Sequence, residues 1–155
     1  MKSFFAPRFF RERVVGQRMT LHQLREMTND RKYIELAIRR IKGKIESARE
    51  RAERIGARIS SEGRGKGGVS DPVGSAVDEI DYYTRMLEDY EGRLAAKQNE
   101  IERTFEKIGD QRVKLALQYK FVDGLTWFRT AGMLEGELTA DGVRMMCQRF
   151  LENNF

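Results

Sequence analysis

Two runs of heptad-spaced apolar residues, separated by a glycine-rich break, constrain this chain more than any other feature in it. In the first run Ile34, Ile38, Ile41, Ile45, Ala48, Ala52, Ile55 and Ile59 recur at alternating steps of four and three. That spacing draws one apolar stripe along a helix and is the seam of a coiled coil. Asn29 or Asp30 stands where it caps this helix, and at about 1.5 Å per residue the arm from Arg31 to Ser60 is about 45 Å long. Gly43 and Gly56 lie off the seam and each costs about 1 kcal/mol relative to Ala, so the arm needs a packing partner.

The same chain supplies one. Residues 62–72 read Glu-Gly-Arg-Gly-Lys-Gly-Gly-Val-Ser-Asp-Pro, a break that ends with Asp71 as N-cap and Pro72 at the first helical position. A second seam comes next, at Val73, Ala76, Ile80, Tyr83, Leu87, Tyr90, Leu94, Lys97, Ile101, Thr104 and Ile108, with Phe105 beside it; Lys97 and Thr104 depart from apolar character. Residues 31–60 hold 10 basic and 4 acidic side chains, and residues 71–108 hold 5 and 10. Opposite charge on the flanks favours pairing of the arms. The expectation is an all-α chain: a long antiparallel helical hairpin over 20–108, turning at 62–72, joined to a smaller helical domain over 109–155. Pairing between chains uses the same pattern, so the sequence allows both arrangements.

Composition agrees with helices rather than sheets: 34% of residues are charged, 40% are hydrophobic, and there are two prolines. At 155 residues there is room for one ordinary domain, or for an extended element plus a small domain, and none for two large cores. One cysteine, Cys147, and one histidine, His22, make neither an internal disulfide nor a four-ligand zinc site, which fits a reducing cytoplasm. Residues 1–10 are interrupted by Arg8 and lack the apolar run of a signal peptide, and no stretch approaches the roughly 20 apolar residues of a membrane span. The formal charge of +5 is uneven: +9 over residues 1–60, −4 over 61–108 and 0 over 109–155. An electrostatic case for nucleic acid therefore starts in the first part of the chain.

Residues 1–19 mix Phe4, Phe5, Phe9 and Phe10 with Arg8, Arg11, Arg13 and Arg18 and show no sustained period, which reads as an arm. Thr20 and Gln23 match the S/T-x-x-E/Q capping box and open a short helix with Leu21, Leu24 and Met27 inward. After Gly109 a helix over Arg112–Val122 ends in the turn Asp123-Gly124. Thr126 caps a short helix, a turn containing Gly136 comes after it, and Thr139 caps a last helix with Val143, Met146, Phe150 and Leu151 inward. Three short helices with a glycine-containing turn before the last match the helix-turn-helix plan.

The runs Tyr119-Lys-Phe-Val-Asp-Gly-Leu-Thr-Trp and Leu138-Thr-Ala-Asp-Gly-Val-Arg-Met-Met-Cys-Gln-Arg-Phe-Leu resemble the promoter-reading helix-turn-helix of sigma factors. The similarity extends to phage-encoded ArpU- and RinA-like transcriptional regulators, which also resemble this chain at Ser70-Asp-Pro-Val-Gly74. Thr139, Asp141, Val143 and Arg144 fit the last helix of that pattern; Ala140, Gly142 and Met145 depart from its usual Arg, Arg and Gln, and the turn at Gly136-Glu137 is about two residues longer. The resemblance implies a phage-type regulator in a bacterial host's cytoplasm, with duplex DNA and RNA polymerase as partners and the hairpin as an oligomerising element.

In such a protein Thr139, Asp141, Arg144 and Gln148 project toward base edges, Arg toward guanine and Gln toward adenine, while Arg149 or Lys120 touches phosphate. The plain alternative is a solvated helix surface, since this segment is neutral. The Phe/Arg arm is a candidate for tracking phosphates, entering a minor groove or docking on polymerase. Charge on the first hairpin arm reads as a solvated flank answering its acidic partner. Trp127, Tyr119 and Phe128 stand at core spacing, His22 on a helix surface, and Cys147 as a small apolar residue. Asp78, Glu79 and Asp81 are surface charge, and residues 63–68 lack the strand-before and Lys-Ser/Thr-after context of a P-loop, so the expectation is no enzyme, no metal and no cofactor. A second functional class remains: an oligomeric phage assembly or packaging component, resembling a small-terminase adaptor, whose C-terminal module is an interaction unit.

Overall fold

A computed structural model describes residues 18–62 and 71–155, so the Phe/Arg segment of residues 1–17 and the glycine-rich residues 63–70 lie outside the described residues. The described chain is helical, with no strand: α1 spans Leu21–Glu62, α2 Pro72–Glu106, α3 Gln111–Leu117, α4 Trp127–Met133 and α5 Ala140–Asn154. A single π-helical turn, Gln118–Val122, continues α3. Of the described residues, 18–25 group with Asp110–Phe155 in one compact unit, and Glu26–Gly109 form the other.

Within the second unit α1 and α2 pack antiparallel. Met27 lies against Thr104, Asp30 against Lys97, Arg31 against Gln98, Lys42 against Glu91 and Arg51 against Glu79, so α2 partners run from 104 down to 79 as α1 runs from 27 up to 51. The seam buries Ile38, Ile41, Ile45 and Ala48 from α1 and Ala76, Ile101, Thr104 and Phe105 from α2. Toward its far end it opens: Ile55 is half-buried and Ile59 is exposed. Lys97, the charged residue on the seam, leaves it sideways, with its ammonium 2.8 Å from Glu100 and 3.7 Å from Asp30. Thr104 donates its hydroxyl to the Glu100 carbonyl at 2.8 Å, which removes its cost of burial.

The start of α1 corrects the sequence expectation of two helices. Thr20 and Gln23 form the capping box, the Thr20 N–H donating to Gln23 Oε1 at 2.9 Å and the Gln23 N–H to Thr20 Oγ1 at 3.1 Å. The helix they open does not stop at Asn29 or Asp30; it is one helix of 42 residues, and both residues lie inside it. The reason is phase. Leu24, Met27, Arg31 and Ile34 continue the same three-four spacing as the isoleucines, and no glycine or proline intervenes. Asp30 turns to Lys97 instead of capping. At the start of α2 the expected cap is present: Asp71 accepts from the Gly74 N–H at 3.0 Å, with Pro72 at the first helical position.

The C-terminal residues fold around Val113, Ala116, Leu117, Phe121, Ala131, Leu134, Val143, Cys147 and Leu151, all buried. Asp110 caps α3, its carboxylate accepting from the Arg112 and Val113 N–H groups. In the π turn the Asp123 N–H reaches back to the Gln118 carbonyl and the Leu125 N–H to that of Tyr119. The chain then leaves through Gly124, at φ 75°. Thr126 and Thr139 cap α4 and α5 as their positions predict. The turn between those helices holds Gly136 at φ 109°, and Arg112 of α3 donates to the Glu135 carbonyl at 2.6 Å, tying the turn to α3.

Phe128 corrects another expectation. Trp127 is half-buried and edge-on to Phe121, with ring centroids 6.1 Å apart, but Phe128 is 80% exposed. Adjacent helical residues point about 100° apart, and Trp127, Thr130, Ala131 and Leu134 occupy the inward spacing. Tyr119 is half-buried, His22 is exposed and Cys147 is buried.

Two substitutions test this packing. Gly136→Ala forces a side chain into a left-handed backbone and to 3.0 Å from the Arg112 guanidinium, so it costs about 1 to 3 kcal/mol in chemical denaturation; an unchanged midpoint means the turn relaxes freely. Thr130 is fully buried, and its hydroxyl has no hydrogen-bond partner among the described residues. Thr130→Val keeps the shape without the orphaned group and leaves stability equal or higher by about 1 kcal/mol, whereas a clear loss assigns the hydroxyl a bonding role.

Candidate nucleic-acid interface

The candidate surface is the outer side of α5. Its inner side is set by Val143, Cys147 and Leu151, spaced four apart and buried almost completely. Helical spacing then turns Asp141, Met145, Arg149 and Glu152 outward, all exposed, with Arg144 exposed on the flank and Gln148 half-buried. Most of the residues singled out from the sequence thus share one helix, but they arrive already engaged. Thr139 is the N-cap, its Oγ1 accepting from the Gly142 N–H at 3.0 Å. Arg144 has its guanidinium 3.6 Å from the Asp141 carboxylate, one turn away. Gln148 donates its amide to Glu152 at 2.9 Å. The Arg144–Asp141 and Gln148–Glu152 contacts are solvent-exposed and exchangeable, worth little more than a few tenths of a kcal/mol, so a base edge can compete for either side chain.

Lys120 stands apart from that helix. It belongs to the π turn, is half-buried, and holds its ammonium 5.4 Å from the centroid of the Trp127 ring, a cation–π distance. The extra residue of a π turn shifts the angular register of the helix, so Lys120 and Phe121 occupy positions that regular helical spacing would not give them.

Sequence reasoning did not find the apolar groove beside the start of α5. About 790 Å3 of open space lies between α4 and Thr139-Ala140, bordered by Leu125, Phe128, Met133 and Leu138, with exposed Arg129 at its edge. Phe128 and Met133 face outward there. The signal was present in the spacing of Trp127, Thr130, Ala131 and Leu134, which assigns Phe128 to the opposite side, but an aromatic pair in sequence invites reading both rings as core. Among the described residues, no three His, Cys, Asp or Glu side chains are gathered as metal ligands.

Cys147 is buried in the core of this unit. Burial, and then the nearby Asp110 carboxylate, push its thiol from an ordinary 9.0 to about 12, so it stays protonated and unreactive near neutrality. The folded state therefore binds the proton more tightly than the unfolded chain. This stabilisation is complete below pH 9 and is lost as pH rises toward 12, at about 1.4 kcal/mol per pH unit. Denaturation of the wild type at rising alkaline pH is expected to show this slope in excess of Cys147→Ala; parallel slopes refute the assignment.

Comparison of the chain with protein-family models, with curated proteins and with solved structures gives no match.

Proposed function

We propose that α4, the Gly136 turn and α5 work as a helix-turn-helix that reads duplex DNA, and that the protein is a transcriptional regulator of the phage type. The observation that carries this reading is the division of α5 into two sides. Val143, Cys147 and Leu151 lock one side into the unit, while Asp141, Arg144, Met145 and Arg149 are left to solvent on a helix whose start is fixed by the Thr139 cap. A rigid helix with an open polar side is what major-groove recognition requires. The sequence resemblance to sigma-type and ArpU- and RinA-like regulators supports the same reading.

In this role Arg144 leaves Asp141 for guanine O6 and N7, Gln148 leaves Glu152 for an adenine edge, and Arg149 and Lys120 meet phosphates. The segment from Gly109 onward has six basic and six acidic residues, so phosphate attraction contributes little here and base contacts carry more of the affinity. The hairpin serves in self-association or in holding RNA polymerase, in the cytoplasm of a bacterial host.

One observation favours a second reading. Phe128 at 80% exposure and Met133 at 57% border an apolar groove, and exposed apolar surface of this kind marks contact with another protein. On that reading the protein is an oligomeric phage assembly or packaging component, and the C-terminal unit is its docking module.

Selection of bound fragments from random duplexes at near-physiological salt decides between them. The regulator returns a defined motif, and Arg144→Ala weakens binding to that motif by about 1 to 3 kcal/mol with helicity unchanged. Equal affinity for every duplex, together with a large closed ring in light scattering, overturns the regulator in favour of the assembly component.

A further inference from the structure

Four of the five tyrosines in the chain, Tyr33, Tyr82, Tyr83 and Tyr90, belong to the hairpin. Three of them line one groove between α1 and α2, of about 320 Å3, where they face Arg40 and Lys44. Tyr82 is 59% exposed and meets Tyr83 edge-on, with centroids 5.3 Å apart. Tyr33 lies two turns before Arg40 at the same heptad position and is 69% exposed. Rings so exposed contribute little to the seam, which the isoleucines already fill.

The charges around this groove are selective. Lys42 and Arg51 of α1 reach across to Glu91 and Glu79, and Arg93 of α2 is held by Asp89 at 2.8 Å while lying over the Tyr90 ring. Arg40 and Lys44 have no ion pair among the described residues, although α2 carries twice as many acidic as basic side chains over residues 71–108. Arg40 and Lys44 thus stand one turn apart in the groove itself, beside its aromatic rings.

We propose that this groove binds single-stranded nucleic acid, with phosphates on Arg40 and Lys44 and a base stacked on Tyr82. Cations that track a backbone and rings that accept bases are the two requirements for holding a single strand without sequence preference. A duplex offers its phosphates but keeps its bases stacked inside, leaving the tyrosines without a role. An acidic peptide engages the cations alone. Asp78 and Asp81, together with Arg85, border Tyr82 in a second depression lined by α2 alone, so the strand enters from the α1 side, where Arg40 and Lys44 meet no carboxylate in the groove lining. The site lies wholly within Glu26–Gly109 and does not depend on duplex reading by α5.

The test is fluorescence anisotropy of the full chain with a labelled oligothymidine of about 12 nucleotides, a length within known single-strand site sizes. Tyr82→Ala is expected to weaken binding about tenfold, and Tyr82→Phe, which keeps the ring, to restore it. Arg40→Ala/Lys44→Ala weakens binding and flattens the slope of log affinity against log salt by about 1.4, the value for two lost phosphate contacts. Lys32→Ala/Arg39→Ala removes the same charge about 100° around α1 and has a smaller effect. Circular dichroism confirms helicity in each variant. Unchanged affinity in Tyr82→Ala overturns the proposal, as does equal weakening by the two double variants. Displacement of the oligothymidine by oligoglutamate of matched charge, as effective as by unlabelled oligothymidine, overturns it in favour of an acidic protein partner. Duplex binding that responds to Arg144→Ala is read separately, so either site can fail without the other.

Discussion

The apolar seam between α1 and α2 is the interaction on which the hairpin depends. Neither helix is secured by composition alone: both are long, strongly charged, and interrupted by glycines such as Gly43, Gly56 and Gly92. Burying Ile38, Ile41, Ile45, Ile101 and Phe105 gives about 1.5 to 3 kcal/mol for each large side chain. The exposed cross-helix pairs Lys42–Glu91 and Arg51–Glu79 give at most about 1 kcal/mol each. Apolar burial therefore decides that the helices associate, and the opposite charges of the arms help decide their alignment.

The C-terminal unit is organised differently. Its helices are short, and α3 and α4 of seven residues each are below the length at which a helix persists in water. Local caps at Asp110, Thr126 and Thr139 fix where each begins, and the Arg112 bond to Glu135 fixes the turn before α5. Val143, Cys147 and Leu151 then leave α5 with one anchored side and one available side. The rotation of α5 determines which of its polar residues face outward, and packing sets that rotation.

Positive charge and the exposed polar side of α5 are separated along the chain. The segment that holds α5 is neutral, whereas the surplus of cations lies in residues 1–60. α5 therefore presents hydrogen-bonding side chains with little long-range field, and the first part of the chain carries the field. Arg40 and Lys44 sharpen the contrast, since they remain uncommitted beside an acidic helix that engages their neighbours Lys42 and Arg51.

Features that depend on residues a few positions apart were legible in the sequence. The two heptad seams, the Thr20–Gln23 box, the Asp71-Pro72 start and the caps at Thr126 and Thr139 each result from hydrogen bonds or spacing within one or two helical turns. Of the candidate site, the residues on α5 could be named, but not their engagements with Asp141 and Glu152. For the passage of α1 through Asn29 and Asp30 and for the exposure of Phe128 the spacing was in the sequence but competed with a cap-type pair and an aromatic pair, while the displacement of Lys120 by the π turn was not legible. Packing across the fold decided between those signals. Sequence by itself determined that this chain is helical, where most helices start and which stripes are apolar, because local backbone bonding and side-chain period are properties of neighbours. Tertiary structure decided which polar and aromatic groups remain uncommitted, because a side chain is paired or buried only by partners that the fold brings to it.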